Sequence, residues 1–163
     1  IADGRGLVAA LALGAVGVWC GTAFVASHEA SVDHVAAGHW SQWEIDLWKQ
    51  MILKATEEDP RITRVLTGKT FRHIVNKFTQ TWEKEKGPFL KEWPHQGVLL
   101  AGLQEGIRRR QVADYFFWTP AGQIAGMIKE LKSAQQVVED MVTGAIEILD
   151  QKFRHEIDIG RKT

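Results

Sequence analysis

The first 26 residues most constrain how this chain can fold, because a long uncharged run follows a glycine-rich loop there. The run comes after Ile-Ala-Asp-Gly-Arg-Gly, and no charged side chain occurs from Leu7 to Ala26. Apolar residues with a period of about 3.6 predict a helix from Asp3, which caps it, to Leu13. Gly14 then supplies the left-handed stop that ends many helices.

The pattern next changes to a period of two, which predicts a short strand over residues 17–22, the single strand predicted for the chain. Val16, Val18 and Cys20 alternate there with Gly17, Trp19 and Gly21. A helix followed at once by a strand is typical of a (β/α)8 barrel. Active sites of such barrels lie at the C-terminal ends of the strands, and the loops after the last two strands commonly hold a phosphate.

Gly21 and Thr22 would lie at that end of the strand. A residue without a side chain lets backbone N–H groups approach phosphate oxygens, and Thr22 adds a hydroxyl donor. A helix that begins near Gly4 adds its positive end. We assign Asp3 to capping, since its charge would repel an anion; the plain alternative for Gly21 is a turn at the end of a strand.

The same residues allow a second interpretation, because a membrane-spanning helix needs about 20 apolar residues. Gly17 and Gly21 also have the spacing of a small-residue contact between helices. Against this interpretation, the run is rich in alanine, is interrupted by Gly14, and lacks a flanking cluster of Lys and Arg. We therefore expect no membrane partner, and a membrane-anchored helical interaction protein is kept as an alternative.

Composition narrows the class of protein. A chain of 163 residues, 45% hydrophobic and 25% charged, is an ordinary globular domain, and 20 basic against 20 acidic residues favour no nucleic-acid partner. Cys20 is the one cysteine of the sequence, which excludes an internal disulfide and is typical of a reducing compartment. We therefore predict a cytoplasmic protein. Because Cys20 lies in the middle of the predicted strand, we expect its side chain to be buried. Because the first residue is Ile1, we expect a piece of a longer or processed protein.

The loop from Ala26 to Gly38 and the residue after it are rich in possible metal ligands: His28, Glu29, Asp33, His34 and His39. Their spacing forms neither a His-x-x-x-His pair on a helix nor a Cys-x-x-Cys pair. We therefore predict no metal site, and a loop that is solvated or faces a substrate.

Five apolar stripes with helical spacing predict that most of residues 39–149 is helical. They run from Trp40 to Ala55, Phe71 to Trp82, Val98 to Gln111, Ile124 to Leu131, and Val138 to Leu149. Each stripe indicates core packing rather than the lining of a pocket.

Four motifs occur in order along the chain: Ile-Ala-Asp-Gly-Arg-Gly at 1–6, Gly-Thr-Ala-Phe at 21–24, Thr-Gly-Lys-Thr-Phe-Arg-His-Ile-Val-Asn-Lys-Phe at 67–78 and Ala-Gly-Gln-Ile-Ala-Gly at 121–126. Over about residues 1–150 the combination resembles the C-terminal part of the nitronate monooxygenase family, formerly the 2-nitropropane dioxygenases. The resemblance implies an α/β fold: the C-terminal portion of an FMN-dependent (β/α)8 TIM barrel with a mostly helical additional domain. This portion itself is expected to be predominantly α.

The resemblance also implies an organisation. Residues 1–27 would end the FMN-binding barrel, 28–119 would form a helical region that covers the substrate, and 120–150 would return to the barrel, leaving 151–163 as an unmatched tail. The implied reaction is the oxidation of nitronates, small-molecule anions of nitroalkanes, by O2. Since a barrel needs eight strands, the remainder of the barrel or a partner chain must complete it.

On this resemblance, Gly21 and Thr22 hold the FMN phosphate, the loop that contains Ala2 forms the opposite wall, and Gln123 approaches the flavin. Ala23 stands where the family usually has arginine. The family's catalytic histidine matches none of the six histidines, so the catalytic residue is unknown and is expected upstream of Ile1. Relatives with the same phosphate loops reduce quinones or enoyl thioesters with a nicotinamide donor, and this reaction remains an alternative.

Overall fold

A computed structural model of the chain describes residues 1–30, 35–38, 40–116 and 118–153. In these ranges the α-helices are α1 (Gly4–Ala12), α2 (Thr22–Val25), α3 (Gln42–Lys54), α4 (Lys77–Lys86), α5 (His95–Arg110) and α6 (Ala134–Glu147), and the strands are β1 (Pro60–Thr63) and β2 (Phe71–Ile74). Short 3-10 helices cover Gly87–Phe89, Ala113–Tyr115 and Gln123–Met127, and a π-helical segment, Ile148–Phe153, follows α6.

Helix α1 begins and ends as its sequence predicts. The Asp3 carboxylate accepts a hydrogen bond from the Gly6 N–H, 3.2 Å long, which satisfies one of the unpaired donors of the first turn. Gly14, with a φ of +94°, provides the left-handed stop. The predicted cap and stop are both confirmed.

The predicted strand over residues 17–22 is wrong. Residues 15–21 are irregular, and Thr22 begins helix α2 instead. A strand exists only when a neighbour pairs with its backbone, and none of the described residues does so here. Val16 and Trp19 are fully exposed as a result, and Cys20, which was expected to be buried in that strand, is half-buried.

The uncharged run is likewise broken. Helix α1 ends at Ala12, and the next helical residue is Thr22, so residues 7–26 do not form one helix. No helix in the described part of the chain has the length and apolar character needed to cross a membrane.

A β-hairpin replaces the first half of the stripe that runs from Phe71 to Trp82. Strands β1 and β2 pair antiparallel, with Pro60 opposite Ile74 and Thr63 opposite Phe71. The helical prediction for Phe71–Ile74 is therefore wrong, because the stripe combines a strand with the helix that follows it. Asn76 separates the two by capping α4 with its side chain.

The stripe at Ile124–Leu131 is also shorter than an α-helix. Only Gln123–Met127 is helical, as a 3-10 segment. A Cβ on Gly126 would lie 2.5 Å from the Glu57 backbone nitrogen, so this turn packs directly on the loop after α3. The helices predicted from the first, third and last stripes are confirmed as α3, α5 and α6.

The hydrophobic core is centred on α3, whose Ile45, Trp48 and Ile52 are buried against residues from the loop after β1 and from α5. Residues 119–121 lie along β2. The Ile74 N–H donates to the Thr119 carbonyl over 2.9 Å, and the Ala121 N–H donates to the Arg72 carbonyl over 3.2 Å. The core thereby fixes the segment that leads to Gln123.

Helices α1 and α6 pack against each other at very short range. A Cβ on Gly4 would lie 2.3 Å from the Ala145 backbone nitrogen and 2.9 Å from the Gly144 Cα. Only glycine fits at position 4, because any side chain would overlap the backbone of α6. The two helices contact each other along their lengths and join the beginning of the chain to its last described helix.

His73 gives the fold a measurable pH dependence. Its side chain is 1% exposed and its Nδ1 has no hydrogen-bond partner. Burial lowers the pKa of His73 from its ordinary value of 6.5 to about 4, although the neighbouring Ile74 backbone acts weakly in the opposite direction. The unfolded chain therefore binds more protons between these two pKa values.

We expect the contribution of neutral His73 to stability to be complete well above pH 6.5 and to fall as the pH is lowered towards 4, with a loss of about 2 kcal/mol by pH 5 from His73 alone. Urea unfolding of the full-length protein between pH 7.5 and 5 measures this slope. The His73→Leu variant should lose most of it, and equal slopes for both proteins would contradict the assignment.

Candidate functional site

Thr22 and Gly122 join two of the sequence motifs through one hydrogen bond. The Gly122 N–H donates to the Thr22 Oγ1 over 2.9 Å, between residues 100 positions apart. Thr22 is 9% exposed, so its hydroxyl is held in the junction between α2 and the 3-10 segment Gln123–Met127. A hydroxyl that accepts one bond still has a hydrogen to donate.

Gly21 lies next to this junction and faces open space. A Cβ built on Gly21 would have no atom within 4 Å, and its φ of −97° is accessible to any residue. Neither the backbone nor the packing of the described residues therefore requires glycine at position 21. The space over its Cα is available to another molecule.

Helix α2 begins at this open position. The hydrogen bonds of its first turn start with the N–H groups of Phe24 and Val25, which both donate to the Gly21 carbonyl. The N–H groups of Thr22 and Ala23 precede the first intrahelical donors, as at every helix start. No acidic side chain lies in this first turn itself.

Ala2 and Ala23 line one cavity of about 420 Å³. Two ion pairs border the same cavity: Arg5 pairs with Asp3 at 2.7 Å, and Lys132 pairs with Asp140 at 2.6 Å. Partial burial would raise the pKa of Asp3, but hydrogen bonds from Arg5 and from the Gly6 N–H outweigh it and hold that pKa below its usual value.

Gln123 follows Gly122 directly and is exposed. The four residues expected from the sequence, Ala2, Gly21, Thr22 and Gln123, are thus gathered around α2, since Ala2 shares a cavity with Ala23 and Gln123 adjoins the partner of Thr22. Gly122 is the residue that sequence reasoning missed. Its place in the Ala-Gly-Gln motif was the available signal, but no spacing along the chain shows that it meets Thr22.

The loop after α2 is fastened to the start of α6. The His28 N–H donates to the Lys132 carbonyl over 3.0 Å, and the Glu29 carboxylate accepts the Ala134 N–H over 2.9 Å. This hydrogen bond at the helix start is the main cause that lowers the pKa of Glu29. Glu29 therefore acts as a structural acceptor at this position. Lys49 fastens the same loop, since its Nζ donates to the His28 carbonyl over 3.3 Å, and burial lowers the pKa of Lys49.

The remaining candidate metal ligands cannot all be placed. Asp33, His34 and His39 lie outside the described residues, as do His155 and the rest of residues 154–163. Within the described ranges, no group of three or more His, Cys, Asp or Glu side chains could hold a metal ion. Of the described histidines, His73 is in the core, whereas His28 and His95 are exposed.

The chain is similar to known proteins over most of its length. A probable nitronate monooxygenase of Staphylococcus saprophyticus is 32% identical over 152 residues, which are 93% of this chain and 38% of that protein. FabK from Thermotoga maritima superposes with a TM-score of 0.69 at 30% identity, covering 96% of this chain and 45% of FabK. A nitroalkane oxidase from Streptomyces ansochromogenes gives a TM-score of 0.67 at 26% identity, covering 90% of this chain and 38% of the oxidase.

The chain therefore spans 38% to 45% of the length of these relatives. The likenesses confirm the predicted fold class, the C-terminal portion of a (β/α)8 barrel with a mostly helical additional domain. The family of nitronate monooxygenases matches residues 1–144, which are most of the 163 residues. The chain belongs to the nitronate monooxygenase family.

Proposed function

We propose that this chain forms the phosphate-holding part of a longer FMN-dependent enzyme that oxidises nitronates with molecular oxygen. Family membership supports a flavin-dependent oxidoreductase. The observation that carries the finer proposal is the start of α2, where the open side-chain position of Gly21 directly precedes Thr22, whose hydroxyl accepts the Gly122 N–H.

The residues at this junction fit a phosphate group. Phosphate oxygens accept hydrogen bonds, and the junction offers the Thr22 hydroxyl hydrogen and the backbone N–H groups of Thr22 and Ala23. Gly21 has no side chain, and no described residue lies within 4 Å of the place where one would stand, which leaves room for an anion at the start of α2. The nearby Asp3 carboxylate is already neutralised by Arg5.

Each residue has a separate task in this proposal. Gly21 leaves room for the phosphate, Thr22 donates to it while it holds Gly122 in place, and the loop with Ala2 forms the opposite wall. Gln123 is positioned by Gly122 to approach the flavin ring. Bound FMN supplies the redox chemistry of the reaction.

The proton-accepting residue is not among these positions. His73 is enclosed in the core with a lowered pKa, and a general base must reach the proton that it removes. We place the catalytic base in the part of the full-length enzyme outside these 163 residues, together with the rest of the flavin contacts.

Two measurements on the full-length protein test the proposal. The purified protein should carry FMN, identified after release by its absorbance and mass, and it should consume O2 when an alkyl nitronate such as propyl-2-nitronate is added. Flavin reduction by a nicotinamide with a quinone or enoyl thioester as acceptor, without nitronate-dependent O2 uptake, would favour the reductase alternative. The 163-residue chain alone should show neither FMN binding nor turnover, and turnover by it would contradict its partial role.

Replacing Gly21 with Val should weaken FMN retention at least about tenfold, equivalent to about 1.4 kcal/mol, because the branched side chain fills the space over Gly21. Helical content should stay unchanged, since no atom of the described residues lies within 4 Å of that space. The flavin-to-protein absorbance ratio after dialysis and far-ultraviolet circular dichroism measure the two effects. Gly102→Val, on an open position of α5, serves as the control, and an undiminished ratio in Gly21→Val would make Gly21 a turn residue only.

Replacing Thr22 with Val removes the acceptor for the Gly122 N–H and should lower the free energy of unfolding by about 1 kcal/mol. FMN retention should fall as well, because both the donor to phosphate and the position of Gln123 are lost. Thr22→Ser keeps the hydroxyl and should resemble the unchanged protein in both measurements. Urea unfolding measures the free energy of unfolding, and the flavin-to-protein absorbance ratio measures FMN retention. Equal values of both quantities for the Val and Ser variants would contradict a role for the Thr22–Gly122 hydrogen bond.

A further inference from the structure

An apolar groove of about 410 Å³ lies between α4, α5 and the turn Ala113–Tyr115. Phe78 and Ile107, each 6% exposed, form its floor. Leu103, Val112 and Tyr115 line its rim and are 37% to 44% exposed, so large apolar side chains face solvent there. The volume is that of a small-molecule pocket.

Gly106 leaves additional room in the groove. It lies inside the 16-residue helix α5, where glycine weakens the helix relative to alanine or leucine. A Cβ at Gly106 would have no atom within 4 Å, and its φ is not in the left-handed region. Neither close packing nor backbone conformation in the described chain explains glycine at this groove-lining position.

Arg110 also lines this groove and contributes a positive charge to it. Its neighbours Arg108 and Arg109 both pair with Glu105 at 2.5 Å, and the nearby Asp114 pairs with Lys77. Within the described ranges, Arg110 has no ion pair and is exposed. The groove thus combines an apolar trough with one guanidinium whose charge is not balanced.

We propose that this groove binds an amphipathic carboxylate with a short hydrocarbon tail. The tail would lie against Phe78 and Ile107 and over Gly106, and the carboxylate would accept hydrogen bonds from the planar guanidinium of Arg110, a pairing whose geometry suits both groups. The groove shares no residue with the cavity around Ala2, so the inference does not depend on the proposed oxidation.

Calorimetric titration of the full-length protein with octanoate tests the proposal, and octanol provides a probe with the same tail and no charge. We expect saturable octanoate binding with a dissociation constant of about 1 mM or lower. Arg110→Gln should weaken octanoate binding about tenfold and leave octanol binding unchanged. Absence of saturable octanoate binding, or equal effects of Arg110→Gln on both probes, would overturn it.

A second pair of variants separates the groove from general effects on the helix. Gly106→Leu fills the groove and should abolish binding of both probes, while its better helix propensity keeps α5 folded. Gly102→Leu makes the same exchange one turn away, at an open position that does not line the groove, and should bind octanoate as the unchanged protein does. Full octanoate binding by Gly106→Leu would show that this groove is not the site.

Discussion

The contact between the two ends of the described chain is the constraint on which the candidate site depends. Helix α1 approaches α6 so closely that Gly4 touches the backbone at Gly144 and Ala145, and Thr22 meets Gly122 over 2.9 Å. The Thr22–Gly122 hydrogen bond closes a loop of 100 positions, and the Gly4–Gly144 contact closes one of 140 positions, at an entropic cost that grows only slowly with loop length. The length of the region between these contacts therefore adds little to the free-energy cost of forming the junction, and this region can form its own hydrophobic core.

The aromatic core of the middle region positions that junction. Trp40 stacks on Trp48 with ring centroids 5.8 Å apart, and Trp40 also contacts Phe116 and Trp118, which lie just before the Ala-Gly-Gln motif. The Trp48 indole N–H donates to the Pro120 carbonyl over 3.2 Å. Gly122, which donates to the Thr22 hydroxyl, follows Pro120 by two residues. The tryptophans therefore fix the position of the segment that carries Gly122.

Periodicity and end residues were sufficient to predict the helices, because a helix is stabilised by hydrogen bonds between residues close in sequence. The cap at Asp3, the stop at Gly14 and the helices α3, α5 and α6 follow from periodicity and end residues, which need no distant partner. The strand expected at residues 17–22 failed for the opposite reason, since a strand requires pairing that none of the described residues supplies. The hairpin was missed because strand β2 and helix α4 present apolar residues at a spacing that resembles one helix.

The site was predictable only in its parts. Gly21, Thr22, Ala2 and Gln123 followed from a family resemblance, but the hydrogen bond that joins Thr22 to Gly122 spans 100 positions and leaves no periodic trace. The sequence also could not show which glycines are required by close packing and which lie at open positions. Gly4 and Gly126 are fixed by backbone atoms 2.3 Å and 2.5 Å from where a Cβ would stand, whereas Gly21 and Gly106 have nothing within 4 Å.

This contrast separates two kinds of glycine by physical cause. At Gly4 and Gly126 the protein's own backbone occupies the space of a side chain, so any substitution there must disturb packing. At Gly21 and Gly106 the space is open and the described chain itself gains nothing from glycine; in the helix at Gly106, glycine even costs stability. Openness alone does not mark a site, because Gly102 is equally open and does not line the groove. We propose that Gly21, at the start of α2, and Gly106, in an apolar groove beside a cation without an ion pair among the described residues, each leave room for a bound molecule.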